Sequence, residues 1–364
     1  MEKKKVALFL PSLVGGGAER VMLSLASEFA EQEHHVDLVL AKASGEYMDQ
    51  VPANIHIVDL DTSRVLYSLF PLIRYLKENR PQSVLSALDH TNIIAICAVT
   101  IANVNVRTIV SIHNNLTHLS KVKKKRFVTQ WIPSLMKWSY KRADKVVAVS
   151  QGVAEDAMQR LELPEEKVQV IYNPVVDERL IEKAAEPIDH PWFADGEPPV
   201  LLAVGRLTPE KDFPNLLRAF AKLRKTRPAR LIILGEGEKR AEMEKLIIEL
   251  GISQDVQLPG FVNNPYAYMK NARLFVLSSL SEGLPTVLIE ALACGTEVVS
   301  TDCPSGPREI LQGGRYGSLV RIEDSEALFQ AMKERLDMPD NGTNSESYEP
   351  FWKTNVSRQY LDIL

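Results

Sequence analysis

Cysteine is scarce: Cys97, Cys294 and Cys303 are the only three in 364 residues. With no C-x-x-C pair they make neither a disulfide framework nor a zinc ribbon, and their scarcity fits a reducing compartment. Long apolar runs are also missing. The longest, Ile93 to Ala102, is about half the roughly 20 residues needed to cross a bilayer. The N-terminus does not read as a signal peptide. Lys3 to Lys5 are basic, but the apolar run Val6 to Leu13 leads into Gly15-Gly16-Gly17, not a cleavage site. A large charge of one sign is absent too: the formal net charge is −4, so no global basic field invites nucleic acid. Gly 18 and Pro 21 are ordinary and exclude collagen-like or low-complexity chains. What is present, 45 % hydrophobic and 25 % charged residues, describes a globular protein. At roughly 150 residues per domain the length suggests two domains. The expectation is a cytoplasmic protein whose N-terminus is part of the fold.

Strand and helix patterns alternate almost throughout. Val6 to Leu10, Val36 to Leu40, Ile55 to Leu60, Ser83 to Ala87, Arg107 to Ile112, Lys145 to Val149 and Val168 to Ile171 read as buried parallel strands. Val21, Met22, Leu25, Ala26, Phe29 and Ala30 fall at helical spacing, and helices fit Leu72 to Asn79 and Thr91 to Ala102. From Asp177 to Pro199, four prolines and Gly196 break every periodicity, which predicts a linker. The alternation then restarts with Val200 to Val204, Arg230 to Leu234, Val256 to Leu258, Leu274 to Leu277 and Glu297 to Thr301 as strands. The expected organisation is an N-terminal Rossmann-like domain over 1–177 and a linker over 178–199. A second such domain follows over 200–345, and a helix over 346–364 returns to the first. Strand–helix alternation implies parallel sheets covered on both faces, with ligands beyond the carboxyl ends of the strands.

Glycine loops and charges cluster after those strands. Gly15-Gly16-Gly17 follows the first strand and opens a helix, which allows a close backbone approach to an anion. It equally fits a tight turn with no ligand. No G-x-G-x-x-G is present, and no acid closes the second strand, so a nicotinamide dehydrogenase is excluded. Arg206 and Lys211 lie in the loop after Val200 to Val204, where two cations can clamp a diphosphate. Ser281 to Glu290 is the strongest signal. Glu282 stands in a loop, the amides of Leu284, Thr286 and Val287 open a helix, and Glu290 sits in an apolar stretch where a buried carboxylate needs partners.

The Gly-Gly-Gly-Ala-Glu-Arg start, the Gly205-Arg206-Leu207 to Lys211 loop and Glu282-x7-Glu290 resemble the family-4 retaining glycosyltransferases. The resemblance covers almost the whole chain. It implies the GT-B fold, two facing doubly wound domains with a deep interdomain cleft, and transfer of a hexose or N-acetylhexosamine from a nucleotide sugar, here a UDP-sugar. It further implies that Arg206 and Lys211 hold the diphosphate, that Glu290 binds ribose and that Glu282, together with Gly283, Leu284, Pro285 and Thr286, contacts the donor. Gly16 and Gly17 approach the phosphates, the base lies around Gly260, Phe261 and Val262, and His113 faces the donor sugar. No cofactor and no metal are expected, the cations taking that electrostatic role. Three positions depart from the pattern: Asn114 after the histidine, Asp212-Phe213 after the lysine, and Glu297 after Gly-Thr. The tract Leu88 to Ile93 is similar to members that extend polyprenyl-diphosphate-linked oligosaccharides. A non-catalytic partner subunit of a glycan-assembly complex is the alternative.

Residues 121–145 crowd Lys121, Lys123, Lys124, Lys125, Arg126, Lys137, Lys141, Arg142 and Lys145 around one acid, Asp144. Phe127, Trp131, Leu135, Met136 and Trp138 interleave with them. The segment suits an anionic membrane surface or a lipid-linked diphosphate. It also fits a helix with an apolar core face and a solvated rim. The expected location is peripheral, on the inner face of the cell membrane.

Overall fold

A computed structural model describes residues 3–14, 16–117, 132–339 and 344–364. The chain divides into two compact units, 1–174 with 353–364, and 175–352.

The first unit is built on a seven-stranded parallel sheet: β1 (Lys5–Leu10), β2 (His35–Leu40), β3 (His56–Asp59), β4 (Ser83–Ala87), β5 (Arg107–Ile112), β6 (Lys145–Ala148) and β7 (Val168–Val170), ordered β3-β2-β1-β4-β5-β6-β7. Helices α1 (Gly17–Glu31), α2 (Leu69–Asn79) and α3 (Asp89–Ala102) connect the first strands. Side chains alternate across a strand. Leu8, Leu10 and Leu38 therefore join Val21, Met22, Leu25 and Phe29 of α1 on one face, while Ala7, Phe9 and Val39 join Leu72 of α2 and Ile94 and Ala98 of α3 on the other. Both faces are covered, which is why the strands read as unbroken apolar runs rather than as alternation.

The last helix, Lys353–Ile363, belongs to this unit. Val356, Tyr360 and Leu361 enter the α1 core, and Gln32 Nε2 donates to Ser357 Oγ at 3.0 Å. It starts later than the periodicity suggests because Pro350 sits in a separate 3-10 turn, Glu349–Phe351.

The second unit holds β8 (Val200–Val204), β9 (Arg230–Leu234), β10 (Val256–Gly260), β11 (Leu274–Leu277), β12 (Val298–Thr301) and β13 (Ser318–Val320), ordered β10-β9-β8-β11-β12-β13. Strand β13, three half-buried residues, carries too little pattern to be legible in the sequence. Residues 178–199, read from the sequence as a linker, hold a helix, Glu178–Ala184, capped by Asp177, which accepts from the Leu180 amide at 2.8 Å. Asn264 Nδ2 donates to the Lys183 carbonyl at 2.8 Å, and His190 Nε2 lies 2.9 Å from Gln257 Oε1 within an edge-on cluster of Trp192, Phe193 and Tyr268. The prolines stop the periodicity, but the aromatic rings and caps fasten the stretch to its own unit.

Candidate functional site

A crevice opens where the strand order of an open parallel sheet reverses, because the loops on either side diverge. In the second unit that point lies between β8 and β11. Strand β8 feeds the loop carrying Arg206 and Lys211, and β11 feeds the loop carrying Glu282, so topology brings together charges 71 residues apart. Lys211 Nζ lies 2.6 Å from Glu282 Oε1, and Ser279 Oγ donates to the same oxygen at 2.6 Å. Ser278 Oγ donates to the Lys211 carbonyl at 2.7 Å, and the Leu280 amide to the Glu210 carbonyl at 2.8 Å. Lys211 and Glu282 are mostly buried, whereas Arg206 is exposed. The arrangement is a paired cation and an exposed one in the same loop, with that loop hydrogen-bonded to the loop after β11.

Backbone bonds extend the frame sideways. The Gly205 amide donates to Leu234, Leu207 to Glu236, and Gly235 to Gly260, at 2.8–2.9 Å. Gly235 has φ +132°, and a Cβ there would stand 2.0 Å from the Gly205 carbonyl, so only glycine lets the two turns meet. This zipper places Gly260, Phe261 and Val262 at the end of β10; the Phe261 side chain is 79 % exposed, a flat surface open to a ring.

Glu290 is 4 % exposed in the helix Thr286–Ala293, with Tyr266 Oη donating to its Oε1 at 3.4 Å. Pro285 caps that helix without a side-chain bond to its first turn. The Gly283-Leu284-Pro285 approach is packed against Gly306, where a Cβ would meet Pro285 Cδ at 2.5 Å. Sequence reasoning passed over Cys294 and Cys303 here. Burial first, and then Glu290 for Cys294 and Glu282 for Cys303, push both thiols up to about 12, so they stay protonated and act as apolar walls.

In the first unit, Gly16 caps α1 with extended backbone and Gly17 opens it with no atom crowding its Cβ position. A Cβ on Gly16 would lie 2.0 Å from Glu19 Oε2. Glu19, not singled out in the sequence, turns a nearly buried carboxylate back to the helix start, where acids favour the dipole. His113 follows β5 directly. Its Nε2 is buried with no hydrogen-bond partner among the described residues, and burial pushes the imidazole down to about 4, leaving it neutral near pH 7. Its loop is held by Asp156, whose Oδ2 accepts from the amides of Leu116 and Thr117 at 2.6 and 3.1 Å. Behind it, Asn92 of α3 donates to the Ser111 carbonyl at 2.9 Å and to Tyr140 Oη at 2.8 Å, and accepts from Ser86 Oγ at 2.8 Å. Asn114 is exposed.

Two departures have physical readings. Glu297 lies nearly buried between Arg273 and Arg335, 3.9 and 3.6 Å away, as a brace under β12. Asp212 adopts φ +44°, a left-handed conformation that aspartate tolerates. Lys121, Lys123, Lys124, Lys125, Arg126, Phe127 and Trp131 lie outside the described residues. At the described end, the fold supplies a further acid from outside the segment: Glu162 pairs with Lys137 and, at 3.6 Å, with Lys141. Trp138 stays half exposed under the Arg142 guanidinium, 4.0 Å from its ring centre. Among the described residues no group of three His, Cys, Asp or Glu is gathered for a metal ion, and no helix is long and apolar enough to cross a membrane.

Residues 15–179 match the family described as Glycosyltransferase Family 4, and residues 185–349 the family described as Glycosyl transferases group 1. The chain is 32 % identical over 347 residues to the Campylobacter jejuni N-acetylgalactosamine-N,N'-diacetylbacillosaminyl-diphospho-undecaprenol 4-alpha-N-acetylgalactosaminyltransferase, covering 92 % of this chain and 90 % of the relative. A second Campylobacter jejuni relative, 28 % identical and covering 90 % and 88 %, is the alpha-1,4-N-acetyl-D-galactosaminyltransferase acting on GalNAc-alpha-(1->4)-GalNAc-alpha-(1->3)-diNAcBac-PP-undecaprenol. Among solved structures, Anabaena HepE in complex with UDP-glucose superimposes with TM-score 0.81 at 19 % identity, covering 99 % of this chain and 98 % of that one. At that identity the likeness speaks for the fold, which is GT-B.

Proposed function

The chain belongs to the family-4 glycosyltransferases, and on that premise we propose that it moves a hexose or N-acetylhexosamine, with retention, from a UDP-sugar to a polyprenyl-diphosphate-linked glycan. The observation that carries the donor half is the Lys211–Glu282 pair at the β8/β11 reversal, 2.6 Å across, with Glu290 buried in the next helix. When a diphosphate enters, Lys211 exchanges part of its bond to Glu282 for phosphate oxygens, and exposed Arg206 closes on them. Together they offset the charge that accumulates on the leaving UDP. That role is the one a divalent metal plays elsewhere, so the reading includes metal independence. Glu282, held by Ser279 and Lys211, is oriented to accept from sugar hydroxyls. Glu290, with the Thr286 helix start beside it, is suited to ribose hydroxyls and phosphate. The aromatic face of Phe261 offers the base a stacking surface. Taken by itself, the first unit offers a Gly16–Gly17 turn suited to phosphate and a neutral His113, able to donate or accept one hydrogen bond without adding charge.

The acceptor half is supported by the two Campylobacter relatives, both named for action on undecaprenol-linked glycans. An acceptor of that kind places the enzyme peripherally at the inner face of the cell membrane, with 121–145 as an electrostatic contact. The test is a screen of UDP- and GDP-sugars for thermal stabilisation, followed by turnover on a short prenyl-diphosphate sugar. Stabilisation by a UDP-sugar and a glycosylated product are expected; stabilisation by GDP-sugars alone, or donor binding without transfer to any such acceptor, refutes the reading.

A further inference from the structure

Among the exposed large apolar side chains of the described residues, three stand together on one turn. Leu66, Tyr67 and Phe70 are 67, 57 and 77 % exposed. They lie in the 3-10 turn Val65–Ser68 and the first residues of α2. Leu66 and Phe70 are four residues apart and Tyr67 and Phe70 three, so the three share one face. The same face continues into exposed Arg74 and Lys77. Between residues 64 and 80 stand four cations, Arg64, Arg74, Lys77 and Arg80, and one acid, Glu78, 3.9 Å from Arg74.

Topology fixes where this face lies. Helix α2 leaves the carboxyl end of β3 and delivers the chain to the amino end of β4, so its apolar start stands at the carboxyl edge of the first unit's sheet and its basic body runs away from it. The Gly16–Gly17 turn and His113 share that edge, and the Val65–Ser68 turn packs on α3, whose Asp89–Ile93 start belongs to the tract similar to lipid-glycan-extending enzymes.

We propose that the Arg64–Lys77 face is a bilayer-docking surface, with Leu66, Tyr67 and Phe70 entering an anionic membrane as a wedge and the cations meeting its headgroups. The proposal rests on the lipid-linked acceptor reading. A polyprenyl diphosphate holds its sugar within a few ångströms of the bilayer, so the edge that receives the acceptor must itself approach the membrane. Apolar residues at that edge, a tyrosine whose ring suits the interface, and flanking positive charge all match this one occupant. A protein partner fits less well. Three side chains on one turn make a knob, not the roughly 800 Å² face each partner gives a stable dimer.

The experiment is flotation of the full chain with vesicles of phosphatidylglycerol and phosphatidylethanolamine, at low salt and at about 1 M salt, where screening leaves charge a reach of only about 3 Å. A variant carrying Leu66→Ser, Tyr67→Ser and Phe70→Ser should lose about tenfold or more of its partitioning, at high salt as well as low. A variant carrying Arg64→Gln, Arg74→Gln and Lys77→Gln should lose binding at low salt only. Phe70→Ser alone, a largely solvated side chain, keeps the test decisive if the triple variant does not fold. Flotation equal to the wild type at high salt overturns the proposal. So does a wild-type dimer that the serine variant converts to monomer with flotation unchanged, which makes the face a contact with a second copy. UDP-sugar hydrolysis in solution separates the two readings. If the flotation difference holds while no prenyl-diphosphate acceptor is used, the function reading fails and this surface stands.

Discussion

At the residue scale, the proposed donor site depends on charge placed beside charge. Charge-assisted bonds to phosphate are worth roughly 1.5–3 kcal/mol each. Lys211→Ala or Arg206→Ala should therefore lower kcat/KM by about 10- to 150-fold, read in steady-state kinetics with saturating acceptor. Lys211→Ala carries a further cost, because it leaves the nearly buried Glu282 carboxylate with Ser279 in place of a cation. Asp212, next along, shows what this chain's own departure does. Burial, with Glu323 adding to it, pushes its carboxyl up to about 6, and its Oδ2 has no hydrogen-bond partner among the described residues. A folded pKa above the unfolded value of about 3.9 means that ionisation opposes folding. The penalty is absent below about pH 4, grows as pH rises through 6 and is complete above it. Asp212→Asn, which also suits the left-handed backbone, should thus raise stability at pH 7.5 by about 1 kcal/mol more than at pH 4, partial exposure having been allowed for. Urea melts of both proteins at the two pH values check this.

At the element scale, the loops after β8, β9 and β10 act as one piece through their backbone zipper. Gly235 is its tightest point, and Gly235→Ala forces either a strained φ or separation of the two turns. The expected cost is about 2–3 kcal/mol of stability. UDP stabilisation should fall with it, because Arg206, Lys211 and Phe261 sit on the loops it joins; thermal melts with and without UDP read both. The elements themselves were largely legible beforehand. Strands such as Ser83–Ala87, Val200–Val204 and Leu274–Leu277 have the bounds their apolar runs announce, since a strand buried on both faces tolerates little else. Short or interrupted elements were not. The helix Pro265–Asn271 and strand β13 are too brief for periodicity, and prolines in 178–199 hid a helix that is held by its Asp177 cap and by Asn264.

At the scale of the whole molecule, two consequences follow from the proposed chemistry. If Arg206, Lys211 and the helix start balance the diphosphate, turnover should survive excess chelator. Complete loss on chelation, restored by magnesium or manganese, would mean that a metal does that work instead. Second, changing Lys123, Lys124, Lys125 and Arg126 to Gln should weaken vesicle flotation at about 1 kcal/mol per basic residue, and only at low salt. Activity on long-chain lipid acceptors should fall with it, while activity on a short soluble acceptor persists. Equal losses on both acceptors would assign those residues to the acceptor's own diphosphate.

The sequence by itself determined the class of the molecule: alternation between buried strands and helices, the glycine turns, and the Glu282–Glu290 tract are local patterns that survive without coordinates. It also drew attention to Arg206, Lys211, Glu282 and Glu290 as cations and acids that follow strands, which is where the proposed donor site is drawn. The tertiary structure decided who meets whom. That Lys211 pairs with Glu282 and that Asp156 holds the His113 loop depends on which strand ends become neighbours, and Glu162 neutralising Lys137 and Lys141 depends on how the helices pack. Exposure was decided there too. Nothing in the sequence singled out Leu66, Tyr67 and Phe70 for a role, and it is the packing of α2, which turns Leu72 and Leu76 inward, that leaves them facing out. Propensity and pattern are properties of neighbours in the chain, whereas pairing and burial belong to neighbours in space.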